Sequence, residues 1–472
     1  MSPQRLTDYE RKRLENIRRN DEMMAALKLR SMATQLSEST KRQRIETKSY
    51  KLSPQKKPKP ETPIVVRRSL RTRGMPPEAN GLEDNLVDSA AKTPKFPTIP
   101  KRAPRVLGRL TMEDAYSGTG SDRGLIETLV DMGKNSGVEF GRGNYVGSGL
   151  KFRSLILNPE NIARVVPGRI MAVRFLPCTN SRMIVAGNKF GNIGFWNLDS
   201  KTEEEDGIYL YNPHSDPILG ISVHQHCLPR IFTCSHDGLI RMMDAEKEVF
   251  DLVYSSEDSI YSLSQQPNDV KCLYFGEGYG GLSIWDERTG NCSTQWSLHD
   301  KRINSIDFNP DNPNIMATSS TDGTACIWDL RIIDKNKPKT LKTVSHKKAV
   351  HSAYFSPCGR LLATTSFDNT VGITRGVNFE KTSTIEHNNQ TGRWISSFRA
   401  IWGWDESYLF IGNMKRGVDI LSPASRRPLY TLQGPHISAI PCRFDAHPYN
   451  VGMLAGGTSG GQVYVWTLSQ GN

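Results

Sequence analysis

Short runs in which apolar and polar residues alternate recur along most of this chain. Examples are INSIDFNP (303–310) and AYFSPCGRLLATTS (353–366), and residues such as Pro, Gly, Asp and Asn separate such runs. Alternation with a period of two predicts half-buried β-strands, and the residues between them are those that favour tight turns. The pattern therefore predicts an all-β fold built from many short strands.

A longer repeat is superimposed on this alternation. The stretch ATSSTDGTACIWDLR (317–331) ends in Trp-Asp-Leu-Arg, and six weaker copies end at equivalent positions. The aligned positions are Trp196, Met243, Trp285, Trp328, Thr374, Ser422 and Trp466, at successive spacings of 47, 42, 43, 46, 48 and 44 residues. A period near 45 residues is typical of a four-stranded WD-repeat blade. The sequence therefore predicts a seven-bladed WD-repeat β-propeller.

The polar residues of the fourth repeat are best interpreted as parts of the fold. The WD-repeat spacing, which suits one hydrogen-bonded chain from loop to indole, is kept by His299, Ser320, Asp322 and Trp328. Repeats 2 and 5 keep the first three residue types but not the Trp, as His214, Ser235 and Asp237, and as His346, Ser366 and Asp368. A fully hydrogen-bonded buried network fixes one geometry, so we assign these residues to structure and not to chemistry.

The end of the chain suggests how the ring closes. Trp466 lies six residues before the C-terminus, so the last blade has no room for an outer strand of its own. The apolar stretch LKFRSLIL (150–157) precedes the first blade, and we expect it to supply that strand and remove an exposed edge. The predicted propeller domain is residues 150–472.

The residues before the propeller differ in composition. Residues 1–30 are predicted to form a basic N-terminal helix, because Thr7 and Glu10 have capping-box spacing and apolar residues follow at near-helical spacing. The helix is either solvated or docked on a partner or on phosphates. Residues 31–149 are predicted to be a largely disordered basic tail and linker, because residues 31–105 have few large apolar side chains.

Charge is distributed unevenly between these regions. The net charge is +12, but residues 1–105 hold 25 Lys and Arg against 12 Asp and Glu, while the remaining residues hold 36 against 37. The clusters KRQR (41–44) and KKPK (56–59) have the form of a two-part nuclear import signal, which predicts a nuclear location. A nucleic-acid surface on the near-neutral propeller therefore requires cations clustered on one face.

Several function classes lack their sequence signatures. The chain has no G-x-S-x-G, phosphate-loop or H-E-x-x-H motif, and its eight cysteines include no C-x-x-C pair. We therefore expect neither enzymatic activity, nor a cofactor, nor a metal site. No run of 18 uncharged apolar residues occurs and the N-terminus has no apolar core, so we expect no membrane span and no secretory signal.

One rim of the propeller is predicted to be basic. The loops that lead into inner strands, and the turns between middle strands, carry Arg169, Lys189, Lys301, Arg302, Lys347, Lys348, Arg393, Trp394 and Lys415. Such a concentration suits the sugar-phosphate backbone of DNA, and an exposed Trp394 beside Arg393 could stack on bases. The alternatives are ordinary solvated loop charge and a Trp that packs on its own blade.

Two motifs carry a resemblance to a known family. YERKRLENIRRN (9–20), HNNQTGRWIS (387–396) and the propeller between them resemble the changed-mutation-rate WD-repeat family, which is related to the smaller subunit of the UV-damaged-DNA-binding complex. The resemblance implies a nuclear DNA-binding protein that prefers damaged DNA and acts in the damage response, in DNA repair and in genome maintenance. It also implies that Arg169, Lys189 and Arg302 hold phosphates, and that residues 390–394 lie where the relative has a wedge hairpin with different side chains.

A second surface is suggested by the arginine that follows the Trp-Asp motif. In propellers that serve as substrate receptors for cullin-4 ubiquitin ligases, this arginine contacts the ligase adaptor, and the pattern is complete at Arg331 and partial at Arg288. The alternative is an exposed arginine that supports a turn. Two function classes thus remain, a DNA or chromatin binder and a ligase receptor whose main client is a protein. In either case we expect a monomer.

Overall fold

The computed structural model describes the propeller and a segment that precedes it. The residues that it describes are Glu15, Arg18, 104–134, 150–200, 206–223, 228–267, 269–334, 338–392 and 394–469. Contacts divide the chain into two units, residues 1–91 and 92–472, and all elements below belong to the second unit. In the first unit Glu15 and Arg18 are helical and exposed, whereas the rest of the predicted N-terminal helix and both import clusters lie outside the described residues.

Seven antiparallel sheets form the blades of the predicted propeller, which is thereby confirmed. From the inner strand outwards, blade 1 contains β4 (Ile170–Phe175), β5 (Met183–Asn188), β6 (Ile193–Asn197) and β7 (Ile208–Tyr211). Blade 2 contains β8 (Ile218–Val223), β9 (Arg230–Ser235), β10 (Leu239–Asp244), β11 (Val249–Ser255) and a fifth strand, β1 (Leu110–Thr111). Blade 3 contains β12 (Ile260–Gln266), β13 (Asp269–Glu277), β14 (Gly281–Asp286) and β15 (Asn291–Ser297).

The remaining blades follow the same order. Blade 4 contains β16 (Ile303–Phe308), β17 (Ile315–Ser320), β18 (Thr324–Asp329) and β19 (Lys342–Ser345), and blade 5 contains β20 (Val350–Phe355), β21 (Leu361–Ser366), β22 (Thr370–Arg375) and β23 (Lys381–Glu386). Blade 6 contains β24 (Ile401–Trp402), β25 (Leu409–Asn413), β26 (Gly417–Ser422) and β27 (Arg427–Leu432). Blade 7 contains β28 (Pro441–Ala446), β29 (Leu454–Thr458) and β30 (Gln462–Leu468), completed by β2 (Leu155–Ile156) and β3 (Ile162–Arg164).

Burial along the strands explains why the alternation in the sequence is imperfect. Every residue of β5 and β17 is buried, because the second strand of a blade is covered on both faces by the neighbouring blades. Outer strands such as β23 and β27 are mostly exposed. A strand buried on both faces needs small or apolar residues at every position. The sequences of these middle strands are therefore continuous runs of such residues and do not alternate between apolar and polar.

The polar network of blade 4 differs in one member from the expectation. His299 Nδ1 lies 2.9 Å from Asp322 Oδ2, as expected, but the hydroxyl that reaches the indole belongs to Thr318. Thr318 Oγ1 lies 2.7 Å from His299 Nε2 and accepts a hydrogen bond of 2.8 Å from Trp328 Nε1. Ser320 instead donates to the carbonyl of Lys301, which ties the second strand to the loop before blade 4. Thr318 therefore links the histidine to the tryptophan.

The N-terminal side of the propeller supplies the closing strand, but most of the pairing lies further along the chain than expected. Within residues 150–157 only Leu155 and Ile156 pair with β30, and β3 adds three further pairs at Ile162–Arg164. Two 3-10 helices, Phe152–Ser154 and Pro159–Asn161, interrupt the segment. Leu150 and Phe152 pack on an apolar cluster of blades 6 and 7 that contains Phe410 and Trp466, so this part of the stretch closes the ring by packing.

The predicted disordered linker contains an ordered segment, which corrects the boundary at residue 150. Within residues 104–134, β1 extends blade 2, and two helices follow, α1 (Met112–Ala115) and α2 (Arg123–Lys134). Leu125, Leu129 and Met132 of α2 are buried in one cluster with residues of blades 1 and 2. Burial of these side chains offsets the entropy of ordering the segment, which composition alone did not indicate. No helix within the described residues is long and apolar enough to cross a membrane.

Candidate nucleic-acid interface

Two kinds of connection meet at one end of the propeller, which we call the top face. They are the loops that lead into each inner strand and the turns between the second and third strands of each blade. Arg169, Lys301, Arg302, Lys347, Lys348 and Trp394 lie in such loops, and Lys189 and Lys415 lie in such turns. The topology therefore brings the predicted residues to one face, except for Arg393, which lies outside the described residues.

The cations of this face come from blades 1, 4, 5 and 6, and we call them the basic arc. Among the described residues none of the arc lysines forms a salt bridge, and all of them are exposed: Lys189, Lys301, Lys347, Lys348 and Lys415. Arg169 and Arg302 are partly buried at the same end of blades 1 and 4. Lysines that pair with no carboxylate of the described residues can exchange their counterions for phosphates.

Aromatic rings lie beneath three cations of the arc. The Lys189 ammonium lies 4.5 Å from the centre of the Phe190 ring, and the Lys348 ammonium lies 5.8 Å from that of Phe367. The Arg302 guanidinium lies 4.9 Å from the Tyr261 ring, and its Nε donates to Thr321 Oγ1. Cation–π contacts position the side chains without neutralising their charge, so the charges stay available to a ligand.

The loop before blade 6 presents a tryptophan to solvent. Trp394 is 87% exposed. The preceding residues are held firmly, since Asn389 is buried and donates to the carbonyls of Ser366 and Thr370, and Gln390 donates to that of Phe367. The loop is thus anchored on blade 5 and carries an accessible aromatic side chain beside the basic arc.

The opposite side of the top face has a different character. Asp216 precedes β8, and Glu257 and Asp258 precede β12, so the loops into blades 2 and 3 are acidic. Tyr279, in the turn of blade 3, is 78% exposed. The acidic residues of blades 2 and 3 and the cations of blades 1, 4, 5 and 6 therefore distribute charge unevenly over the top face.

The arginines of the Trp-Asp-x-Arg motif lie at the other end of the blades, which we call the bottom face. Arg331 Nη2 lies 2.6 Å and its Nε 2.9 Å from the two carboxylate oxygens of Asp329, and Arg288 makes a similar pair with Asp286. The hydrogen bond from Arg331 lowers the pKa of Asp329. The Arg331 side chain is still 61% exposed, and Ile332 beside it is also exposed. Each arginine is thus held in place while remaining accessible from below.

Sequence reasoning identified Trp394 but missed the other aromatic residues of the top face. Phe190 and Phe367 occupy blade turns, and Tyr279 replaces the Asp found at the equivalent position of blade 4, Asp322. Alignment of the seven turns would have identified them, because aromatic residues are uncommon where turns favour Gly, Asn and Asp. Within the described part of the chain, no group of three His, Cys, Asp or Glu could hold a metal ion.

Comparisons with known proteins agree with this architecture. The family model for the WD domain, G-beta repeat, matches residues 290–329 and 338–373. WD repeat-containing protein 76 of Xenopus laevis is 28% identical over 98% of this chain and 80% of its own length. The DNA damage-binding protein cmr1 of Neurospora crassa is 28% identical over 98% of both chains, and CMR1 of Kluyveromyces lactis is 26% identical over 98% of this chain and 99% of its own. The resemblance to the changed-mutation-rate family is thereby confirmed, and the chain is a WD-repeat propeller homologous over nearly its full length to proteins of both names.

Proposed function

We propose that this protein binds DNA on the basic arc of its top face and acts in the nucleus in the response to DNA damage. The observation that carries the proposal is the arc itself, in which exposed lysines from four blades lie on one face without carboxylate partners in the described structure. The relatives from Neurospora crassa and Kluyveromyces lactis are named DNA damage-binding proteins, which supports the same conclusion. The resemblance and the basic clusters of the N-terminal region support a nuclear location.

The arc and Trp394 would contribute to binding in different ways. Lysines that neutralise phosphates release condensed counterions, so they give affinity for any sequence and a strong dependence on salt. An exposed indole can stack on a base, which is worth about 1–3 kcal/mol and carries little ionic character. Stacking costs least where a base step is already unpaired or damaged, so Trp394 is the residue that would give a preference for damaged DNA.

The experiment is a salt titration of DNA affinity with single-residue variants. Lys301→Ala, Lys347→Ala and Lys415→Ala should each weaken binding to every duplex and reduce the log–log salt slope by about 0.9. Trp394→Ala should instead lower affinity most on damaged or unpaired DNA and leave the slope nearly unchanged.

The control is Lys271→Ala, because Lys271 is exposed near the start of β13, at the bottom end of blade 3. Arc variants that bind DNA with the same affinity and slope as this control would refute the proposal. If Trp394→Ala lowered thermal stability and left binding to all DNAs unaltered, the arc would be an electrostatic platform without damage preference.

A second candidate function rests on the bottom face. We propose that Arg331 and Arg288 contact the adaptor subunit of a cullin-4 ubiquitin ligase, which would make the chain a substrate receptor. The supporting observation is that each guanidinium is fixed by the aspartate of its own motif and still exposed. Fixed, accessible arginines are common anchors of protein interfaces because little entropy is lost when they bind.

Charge reversal separates this function from DNA binding. The double variant Arg331→Glu with Arg288→Glu should lose co-purification of the adaptor and keep the DNA affinity of the unchanged protein, because the two faces are opposite ends of the blades. Arg427→Glu, an exposed arginine of blade 6, is the matched control and should keep both properties. Undiminished adaptor binding in the double variant would exclude the receptor function.

A further inference from the structure

One position of the inner strands carries arginine in two adjacent blades. In the other five blades the third residue of the inner strand is small, namely Ala172, Gly220, Ser262, Ser305 and Ser352. Arg443 of blade 7 occupies the same register, since it follows the same irregularity of pairing as Ser352. Arg399 lies three residues before Trp402, as Arg443 lies three before Ala446. The small residues leave room at the centre of the ring for two guanidinium groups.

The two side chains extend across the central channel. Arg399 Nη2 donates to the carbonyl of Asn304 at 2.9 Å, and Nη1 lies 3.4 Å from Tyr354 Oη. Arg443 Nε donates to the carbonyl of Met171 at 2.9 Å, and its Nη1 donates to the carbonyl of Ser397. A cavity of about 60 Å³ lies between them, lined by residues of all seven inner strands.

No carboxylate of the described residues pairs with either arginine. Within the described residues neither arginine forms a salt bridge, whereas Arg174, further down the same channel, lies 2.9 Å from Asp445. Arg399 Nε and Arg443 Nη2 form no hydrogen bond to any described residue. Bonds to carbonyls orient a guanidinium but leave its charge in place, and uncompensated buried charge is costly. The remaining N–H groups are thus the donors that an anion in this cavity would meet.

The titration of neighbouring groups agrees with an excess of positive charge. Burial, reinforced by Arg399, lowers the pKa of Arg443 to about 9. Burial, together with Arg399, Arg443 and Arg302, lowers the pKa of His351 to about 3. Burial first, and the neighbouring arginines second, therefore disfavour the charged form of both groups, and His351 is neutral at physiological pH.

We propose that the mouth of the central channel binds a phosphate-type oxyanion between Arg399 and Arg443, at a site separate from the basic arc. Paired guanidinium groups present forked N–H donors that match the oxygens of phosphate. Arg443 lies two residues below the top end of β28, which places the site about 7 Å below the rim. The anion is free phosphate or the terminal phosphate of a DNA strand that lies on the top face.

The first test measures binding of inorganic phosphate to the full chain by thermal unfolding and by ³¹P NMR, against chloride at equal ionic strength. Phosphate should raise the unfolding temperature and broaden the ³¹P signal saturably. Arg399→Gln or Arg443→Gln should weaken the affinity about 10-fold or more, because each removes a charge-assisted donor group. Arg427→Gln is the matched control and should respond like the unchanged protein.

Several results would overturn the site. Equal stabilisation by chloride, or the same response to phosphate in the two glutamine variants as in the control, would show that no such site exists. If a glutamine variant fails to fold, the titration of the unchanged protein decides, since ³¹P broadening that never saturates also overturns the site. Arg443→Lys, which keeps the charge, should retain part of the phosphate response.

The source of the anion is tested with single-stranded oligonucleotides that differ only in a 5′ phosphate. Tighter binding of the phosphorylated strand, lost in Arg443→Gln, identifies a strand terminus. Equal binding of both strands, with the response to inorganic phosphate intact, identifies a free anion. The double variant Lys301→Gln with Lys347→Gln should lose DNA affinity and keep the phosphate response. The experiment therefore distinguishes a failure of the proposed DNA binding from a failure of the proposed phosphate site.

Discussion

The hydroxyl group of Thr318 connects two buried side chains in the core of blade 4. It accepts the indole N–H of Trp328 and contacts His299 Nε2, whose ring is fixed on its other side by Asp322. Burial alone would raise the pKa of Asp322, but hydrogen bonds from His299 and Thr324 lower it below its usual value. The contribution of this carboxylate to stability is therefore full at neutral pH and is lost as the pH falls through its folded-state pKa.

Replacing Thr318 by valine tests the network without changing the shape of the side chain. The change leaves His299 Nε2 and Trp328 Nε1 without their common partner, so the free energy of unfolding should fall by about 1–3 kcal/mol in urea denaturation. Thr318→Ser keeps the hydroxyl and should lose less. Equal loss in the two variants would show that the methyl group, and not the hydroxyl, matters.

The sequence could not show whether Thr318 or Ser320 supplies the hydroxyl that bonds the indole of Trp328. The two residues are separated by two positions in β17, so their side chains point to the same face of the strand and both are buried hydroxyls. Which hydroxyl reaches the indole depends on the position of Trp328 in the neighbouring strand. That position follows from strand register, which the spacing of the motif does not specify to within two residues.

At the scale of elements, Arg241 joins the N-terminal segment to the propeller. It is fully buried in β10, and its guanidinium donates to the carbonyls of Val106 and Gly108 at 2.6 and 2.8 Å. Both carbonyls lie just before β1, which pairs with the outer strand of blade 2. One side chain thus satisfies backbone groups that would otherwise lose their partners.

Arg241→Ala should release this segment. We expect a loss of about 2–3 kcal/mol, because two part-buried hydrogen bonds from a charged donor are lost. Amide hydrogen exchange should become faster at residues 110–112 and stay unchanged in blade 4. The control is Arg109→Ala, which removes an exposed ion pair with Asp251 and should cost less than about 1 kcal/mol. Exchange at 110–112 that is no faster than in the control would show that Arg241 does not hold this segment on blade 2.

The sequence contained a signal for this segment that composition obscured. Leu125, Leu129 and Met132 recur at helical spacing in RGLIETLVDMGK, which is the pattern of a helix with one buried face. The prediction of a disordered linker extended the basic composition of residues 31–105 to residue 149. The covering of blades 1 and 2 by α2 could not be predicted, because the partner surface is assembled from strands far apart in the chain.

At the scale of the whole molecule, the sequence predicted which residues share a face better than it predicted what lies at the centre. Loops and turns of every blade meet at one end by topology alone, so Lys301, Lys347 and Lys415 could be placed together from the repeat. The channel arginines could not, since Arg399 precedes a strand of only two residues and its register is evident only from the pairing of blade 6.

Truncation tests which residues before the blades contribute to the stability of the propeller. Removal of residues 1–103 should leave the free energy of unfolding unchanged, since the elements of blades 1 and 2 remain complete. Removal of residues 1–149 should lower it by at least about 3 kcal/mol, because it uncovers the surface that buries Leu125, Leu129 and Met132. Equal stability of the two truncated proteins, measured by urea denaturation, would show that the segment 104–134 is dispensable.

The pairing of blade 7 also sets the order of events during synthesis. Leu155 pairs with Leu468, so two paired strands of one sheet are separated by roughly 300 residues of the chain. At roughly 5–20 residues per second, the ribosome needs about 15–60 s to add the roughly 300 residues between them. β2 leaves the ribosome first and remains unpaired for that time. The ring therefore closes only after β30 has been synthesised and can pair with β2.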